Sequence, residues 1–255
     1  MSHSKLIGRC WIVSIPLAIG LSLQTDLLAQ PMSDRIPHSA IAQKPPPPPP
    51  KPPPNGTRPG GGLNPHDPLS CNALNRSVQA LLPVENPVLT TTDSPTLLFY
   101  IPFAAEQIKF GEFTLLTWPG EQQRLYQVRF TLPKTPGIVS VTLPPQSALQ
   151  AGNYYRWYFQ LYCQDGTGAK PDLTLNGMVQ RVTLTAERER QIRNATPDVW
   201  YDALARVAAQ LQTSPQNAAV RKNWRSLLQT IKAEDLAPAP LLGSVIPLEP
   251  RRSPR

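Results

Sequence analysis

No histidine occurs after residue 66 of this 255-residue chain: the three present are His3, His38 and His66. Serine and cysteine mechanisms that need an imidazole base are therefore not expected of the later region, nor are the common zinc ligand sets. Cysteine is scarce too, with three residues and no CxxC spacing, so neither a redox motif nor a zinc knuckle is available. The chain contains no GxGxxG, no P-loop and no calcium-loop pattern. Long apolar runs are also missing. The longest charge-free apolar stretch, Trp11 to Leu23, has 13 residues, whereas a membrane-crossing helix needs about 20. Only 16% of residues are charged and 40% are apolar, a balance unlike that of a highly charged disordered chain. These absences predict a protein that is not an enzyme, with no cofactor, no metal and no stable membrane span.

Proline is abundant instead. There are 32 prolines against 14 glycines; 14 of them fall between Pro31 and Pro68, and five in the last 18 residues. Lys5 and Arg9 precede the apolar run, and Leu27-Leu28-Ala29-Gln30 follows it, which reads as a signal peptide over residues 1–29; an uncleaved anchor is the alternative. Residues 30–69 read as a Pro/Gly-rich disordered linker. Within it Pro45 to Pro54, interrupted only by Lys51, would form a polyproline II rod of about 31 Å. Such a rod suits a spacer, a ligand for a proline-binding partner or a plain tether. Export leaves Cys71 and Cys163 as an even pair. A bridge between them would close a 92-residue loop and stabilise a domain by about 4 kcal/mol on the chain-entropy argument; two buried thiols are the alternative. The formal net charge of +8 falls to +3 between Cys71 and Asp235. The rest sits in the ends, with no nucleic-acid fingerprint, so no nucleic-acid partner is expected. Basic ends on an exported chain fit an anionic wall polymer or membrane surface better.

From residue 70 the apolar period is two. Leu97, Phe99 and Ile101 alternate with Leu98 and Tyr100, Phe113 with Leu115 follows, and Tyr126 to Leu132 and Val139 to Leu143 alternate in the same way. In Tyr154 to Cys163, Tyr155, Trp157, Phe159, Leu161 and Cys163 share one face, and Tyr154, Arg156, Tyr158, Gln160 and Tyr162 the other. Leu173 to Leu184 changes parity near Asn176-Gly177, as a bulge would cause. Turn chemistry at Lys134–Gly137 and Gln164–Gly168 separates strands. The fold class predicted is mainly β: an antiparallel immunoglobulin-like β-sandwich over residues 70–185, followed by a C-terminal α-helical hairpin. The helical segment spans 186–236. Thr196-Pro197 and Ser214-Pro215 would start two helices with stripes at Trp200, Ala203, Leu204, Val207, Ala208, Leu211 and at Val220, Trp224, Leu227, Leu228, Ile231. Residues 237–255 read as a disordered Pro/Arg tail.

The outward row Tyr154, Arg156, Tyr158 and Tyr162 is the candidate binding surface. Flat rings along a strand suit a sugar, and Arg156 would add anion recognition. Alternatively the tyrosines are packing partners of the C-terminal helices, a reading that follows more directly because the helix stripes need a surface to bury. Paired carboxylates remain available for glycoside hydrolysis. Most acids, however, sit in turns or helix starts, and Asp202 stands one turn before Arg206, where a surface ion pair accounts for it.

Several blocks occur in order after the leader, linker and Cys71: Pro95-Thr96-Leu97-Leu98-Phe99-Tyr100-Ile101-Pro102, Phe130-Thr131-Leu132-Pro133-Lys134-Thr135-Pro136-Gly137-Ile138-Val139, Tyr155-Arg156-Trp157-Tyr158-Phe159 leading to Cys163, Gly177-Met178-Val179-Gln180-Arg181-Val182, and Trp200-Tyr201-Asp202-Ala203-Leu204. Together they resemble the cyanobacterial exported family called domain of unknown function 928. The resemblance implies a thylakoid-bearing Gram-negative host and an envelope location, and it brings no catalytic residues. The expected function is thus an exported, non-enzymatic binding or scaffold module of the cell envelope. It would lie in the periplasm or outside the cell, or on its surface, and engage an envelope protein or glycan. A carboxylate-dependent hydrolase of wall polysaccharide is the alternative.

Overall fold

A computed structural model describes residues 53–57, 78–86, 88–164 and 169–248. The expected signal peptide, most of the expected linker, Cys71 and residues 249–255 lie outside the described residues. Among the described residues the chain is mainly β, with ten strands in two sheets and three α-helices. The strands are β1 (Gln79–Ala80), β2 (Leu89–Thr90), β3 (Thr96–Ile101), β4 (Ile108–Trp118), β5 (Arg124–Thr131), β6 (Gly137–Thr142), β7 (Tyr154–Cys163), β8 (Leu173–Arg181), β9 (Leu241–Ser244) and β10 (Ile246–Pro247). Helices α1 (Ala186–Arg193), α2 (Trp200–Thr213) and α3 (Ala218–Thr230) lie between β8 and β9.

The larger sheet has the order β10-β5-β4-β7-β8-β2 and the smaller one β1-β3-β6-β9. An all-antiparallel arrangement is expected from the sequence, but both sheets are mixed. β2 joins β8 and β9 joins β6 in parallel, each at a sheet edge. Parallel pairs need long connections, and these strands are supplied from the two ends of the domain. The inward rings bring the sheets together. Phe99 of β3 stacks on Phe159 of β7 at 4.1 Å between centroids and meets the edge of Trp157 at 5.6 Å; Phe113 and Phe130 pack behind them. All five rings are essentially excluded from solvent, which makes this cluster the centre of the hydrophobic stabilisation.

Four expectations need correction. The linker expected over residues 30–69 contains a piece of the fold, Pro53–Thr57. Gly56 forms an antiparallel bridge to Asn176, Asn55 N–H donates to the Val84 carbonyl at 2.9 Å, and Asn55 and Thr57 are buried. The tail does not begin at 237, since β9 and β10 extend both sheets. No bulge breaks β8: its register with β7 runs unshifted from Leu173 to Gln180, and the parity change arises because Met178, on the outer side, is buried as well. Finally, the cap and ion-pair assignments in the helical region differ. The Thr196 hydroxyl caps no helix and donates to the Gln191 carbonyl; a 3-10 turn, Pro197–Val199, leads into α2 instead. Asn217, not Ser214, caps α3 by accepting from the Ala219 and Val220 N–H groups. The Asp202 carboxylate accepts from the Thr91 N–H and hydroxyl, at 2.9 and 3.1 Å, rather than pairing with Arg206.

The helices are placed by their stripes and by two aromatic hydrogen bonds. The Trp200 indole donates to the Leu81 carbonyl at 2.8 Å. The Tyr201 hydroxyl accepts from the Trp157 indole at 3.0 Å and donates to the Met178 carbonyl at 3.0 Å. Burial raises the Tyr201 phenol far above its ordinary value of 10.0, an effect only partly offset by the Trp157 bond. α2 contacts β2 and β3, with Ala205, Ala208 and Ala209 facing Leu98, Ile138 and Ser140 on the outer side of the small sheet.

Candidate functional site

The outer side of the large sheet is built from the alternation of its strands. Tyr154, Arg156, Tyr158, Gln160 and Tyr162 of β7 point away from Phe99. In register beside them on β4 are Trp118, Leu116, Thr114, Glu112 and Phe110, and on β8 are Gln180, Met178, Asn176 and Thr174. The row read from the sequence therefore does share one face. The helices do not cover it as their stripes suggested, because α2 packs against the small sheet and β2.

The row divides into two clusters. In the middle, Arg156 donates from Nη2 to the Asn176 Oδ1 at 2.7 Å and its guanidinium lies 5.4 Å from the centre of the Tyr158 ring. Its Nε stands 3.6 Å from the carboxylate of Glu121. Glu121 comes from the turn between β4 and β5, where the backbone takes φ = 53°, and it accepts the Tyr158 hydroxyl at 3.0 Å. Burial, followed by this hydrogen bond, raises the Tyr158 phenol above its ordinary value, with Arg156 opposing. Arg156 is only 14% exposed and its charge already faces Glu121. Its role is to hold the ring and the turn; it is poorly placed to capture a free anion.

At the far end of the row Tyr162 stacks on Phe110 at 4.2 Å, and Arg129 of β5 lies 5.0 Å from the Phe110 centroid. Arg129 also pairs with Glu112 at 3.1 Å and remains 63% exposed, so it presents an accessible cation at this end of the face. Burial, then the Glu112 charge, raises the Tyr162 phenol. Phe110, Glu112, Glu121, Arg129 and Asn176 were not singled out from sequence. Phe110 and Glu112 fall on the face opposite Phe113 and Leu115 when the alternation of β4 is carried back toward its start, and that extension was the available signal. Tyr154 stands apart from both clusters, next to Trp118.

Among the described residues no group of three His, Cys, Asp or Glu could hold a metal ion, and no helix is long and apolar enough to cross a membrane. Cys163, the last residue of β7, is buried, and the partner expected for it, Cys71, lies outside the described residues.

A mixed, mainly β domain that starts near Asn55 and closes with β9 coincides with a known family. The profile of the Domain of Unknown Function (DUF928) family matches residues 54–241, and the chain belongs to that family. The match begins in the Asn55 segment, as the fold does, and ends at the first residue of β9, short of β10. No curated protein matches the chain. Among solved structures, similarity is found to astrotactin-2, described as a conserved vertebrate-specific and perforin-like membrane protein involved in neuronal development. The identity is 7% and the TM-score 0.28, over 61% of this chain and 28% of that one. The matched region thus spans under a third of astrotactin-2.

Proposed function

We propose that this protein is an exported, non-enzymatic binding module of a cyanobacterial cell envelope, and that the outer face of the large sheet binds a glycan. In this reading the leader directs export, and the two sheets form an immunoglobulin-like sandwich carrying a helical hairpin. A Cys71–Cys163 bridge ties the entry segment to β7, and the proline-rich arm spaces the domain from its attachment. The observation that carries the reading is the packing of α2 against the small sheet and β2, which leaves Phe110, Tyr154 and Tyr158 partly exposed along the outer face, with Tyr162 buried against Phe110. Aromatic faces along a strand stack on the apolar faces of sugar rings, and Arg129 at the rim supplies donors for hydroxyl or acidic groups.

The test is a glycan array and affinity capture from an envelope extract with the full chain, beside Tyr158→Ala and Phe110→Ala. Both variants are expected to lose at least about tenfold in affinity while keeping native thermal unfolding. Undiminished capture by both would sink the sheet-face reading. Turnover of a wall polysaccharide that disappears in Glu121→Gln would replace it with the hydrolase alternative.

A further inference from the structure

The helical hairpin carries a second feature, separate from the sheet face. From Ala203 to Ala233 there are five cations, Arg206, Arg221, Lys222, Arg225 and Lys232, and no acid. Among the described residues none of the five forms an ion pair, unlike Arg190 and Arg193 of α1, which pair with Glu187 and Glu189. Two of them, Arg221 and Arg225, border a cavity of about 700 Å³ between α3 and the chain entering β9. That is within the range of about 300–1,000 Å³ usual for ligand sites.

Leu211, Gln212 and Pro215 line this cavity on one side, and its two other walls differ. One is α3, with Arg221 and Arg225 exposed one turn apart on either side of Trp224. The other is Ala237-Pro238-Ala239-Pro240-Leu241. Along Ala237–Pro240 that wall offers no free donor, because the Ala237 and Ala239 N–H groups bond to Glu234 and Leu236 carbonyls and the prolines have none. Trp224 is 1% exposed, and its indole N–H is buried without an acceptor; buried donors are ordinarily satisfied. The cavity therefore supplies cations on one side, with the buried Trp224 ring between them, and apolar surface on the other. Glu234 is the single acid on its border.

We infer that this groove binds an extended acidic peptide in which carboxylates alternate with apolar side chains. Four residues of α3 advance about 6 Å, and side chains on one face of an extended chain repeat every 6.7 Å or so. Carboxylates at alternate positions therefore meet Arg221 and Arg225, while the intervening apolar side chains turn to the Pro238–Leu241 wall. An anionic membrane would satisfy the charge but would leave the apolar wall unused, so the peptide is the better fit.

Fluorescein-labelled Glu-Leu-Glu-Leu-Glu, with Gln-Leu-Gln-Leu-Gln as control, is titrated with the full chain by fluorescence anisotropy. The Arg221→Glu/Arg225→Glu double variant is measured alongside, as is binding to phosphatidylglycerol vesicles. The Glu peptide is expected to saturate below about 1 mM, to bind at least about tenfold more weakly to the double variant, and to bind Tyr158→Ala unchanged. In ¹⁵N spectra the Trp224 indole resonance, assigned through Trp224→Phe, is expected to shift on titration. Equal binding of the Gln peptide, undiminished binding by the double variant, or no saturation would overturn the inference. Vesicle binding that depends on Arg221 and Arg225 without saturable peptide binding would overturn it in favour of a membrane surface.

Discussion

Replacing Asn55 by alanine tests whether the domain begins in what reads as a linker. The free edge of β8 presents the N–H groups of Asn176, Met178, Gln180 and Val182 in alternation. Three of them donate to main-chain carbonyls: Asn176 to Gly56, Gln180 to Val88 and Val182 to Thr90. The fourth, Met178, has no strand opposite it and donates at 2.7 Å to the Asn55 side-chain oxygen. The same amide donates to the Pro83 carbonyl at 2.9 Å. Asn55 thus stands in for a missing stretch of strand. Asn55→Ala removes both bonds and strands a buried N–H, at a cost of about 2–4 kcal/mol. For a domain of this size that lowers Tm by roughly 4–16 °C. Urea unfolding followed by tryptophan fluorescence reads the loss directly as a lower midpoint at unchanged slope. A change below about 0.5 kcal/mol, the usual range for exposed positions, would refute the reasoning and return residues 53–57 to the linker.

Two further expectations concern the same region. Tyr201 keeps its proton in the fold well above pH 10, whereas in the unfolded chain it ionises near its ordinary value. Its contribution is therefore complete below pH 10 and is lost as pH rises beyond it. Urea midpoints should fall less steeply above pH 10 in Tyr201→Phe than in the parent, and identical slopes would dismiss this assignment. Gly177→Ala would place a methyl 2.3 Å from the Trp157 ring and 3.1 Å from the Asn55 side-chain oxygen. Trp157 is held by Phe99, Phe113 and Tyr201, so a loss of about 1–3 kcal/mol is expected in the same urea assay.

The long strands were legible because each carries its own alternation: β7 was delimited from residue 154 to 163, as observed, and β3, β5 and β6 within about two residues. The helix stripes were legible for the same reason. The short edge elements were not. Asn55-Gly56-Thr57 follows a proline run, and Leu241–Ser244 follows Pro238 and Pro240. Composition in both places points to tether, and only the partner strands, β8 and β6, give the segments their structure. The candidate face was half legible. The tyrosine row follows from β7 alone, but its clusters depend on cross-strand neighbours, Phe110, Arg129, Glu121 and Asn176, which only the register reveals.

The placement of the helices could have been argued from β3. Its inward residues Leu97, Phe99 and Ile101 are apolar, but so is Leu98 on the opposite side, and Ile138 lies on that same outer face of the small sheet. Both are buried. A strand apolar on both sides needs cover on both. β7 differs, since its outer side carries Arg156 and Gln160 and its register neighbours include Glu112 and Asn176. Burying that face under an apolar helix stripe would cost the desolvation of several polar groups, while burying the outer face of β3 removes apolar surface from water. The alanines at 205, 208 and 209 let α2 lie on that face. The choice between the two sheets was thus set by polarity, and it leaves the outer side of β7 clear of α2.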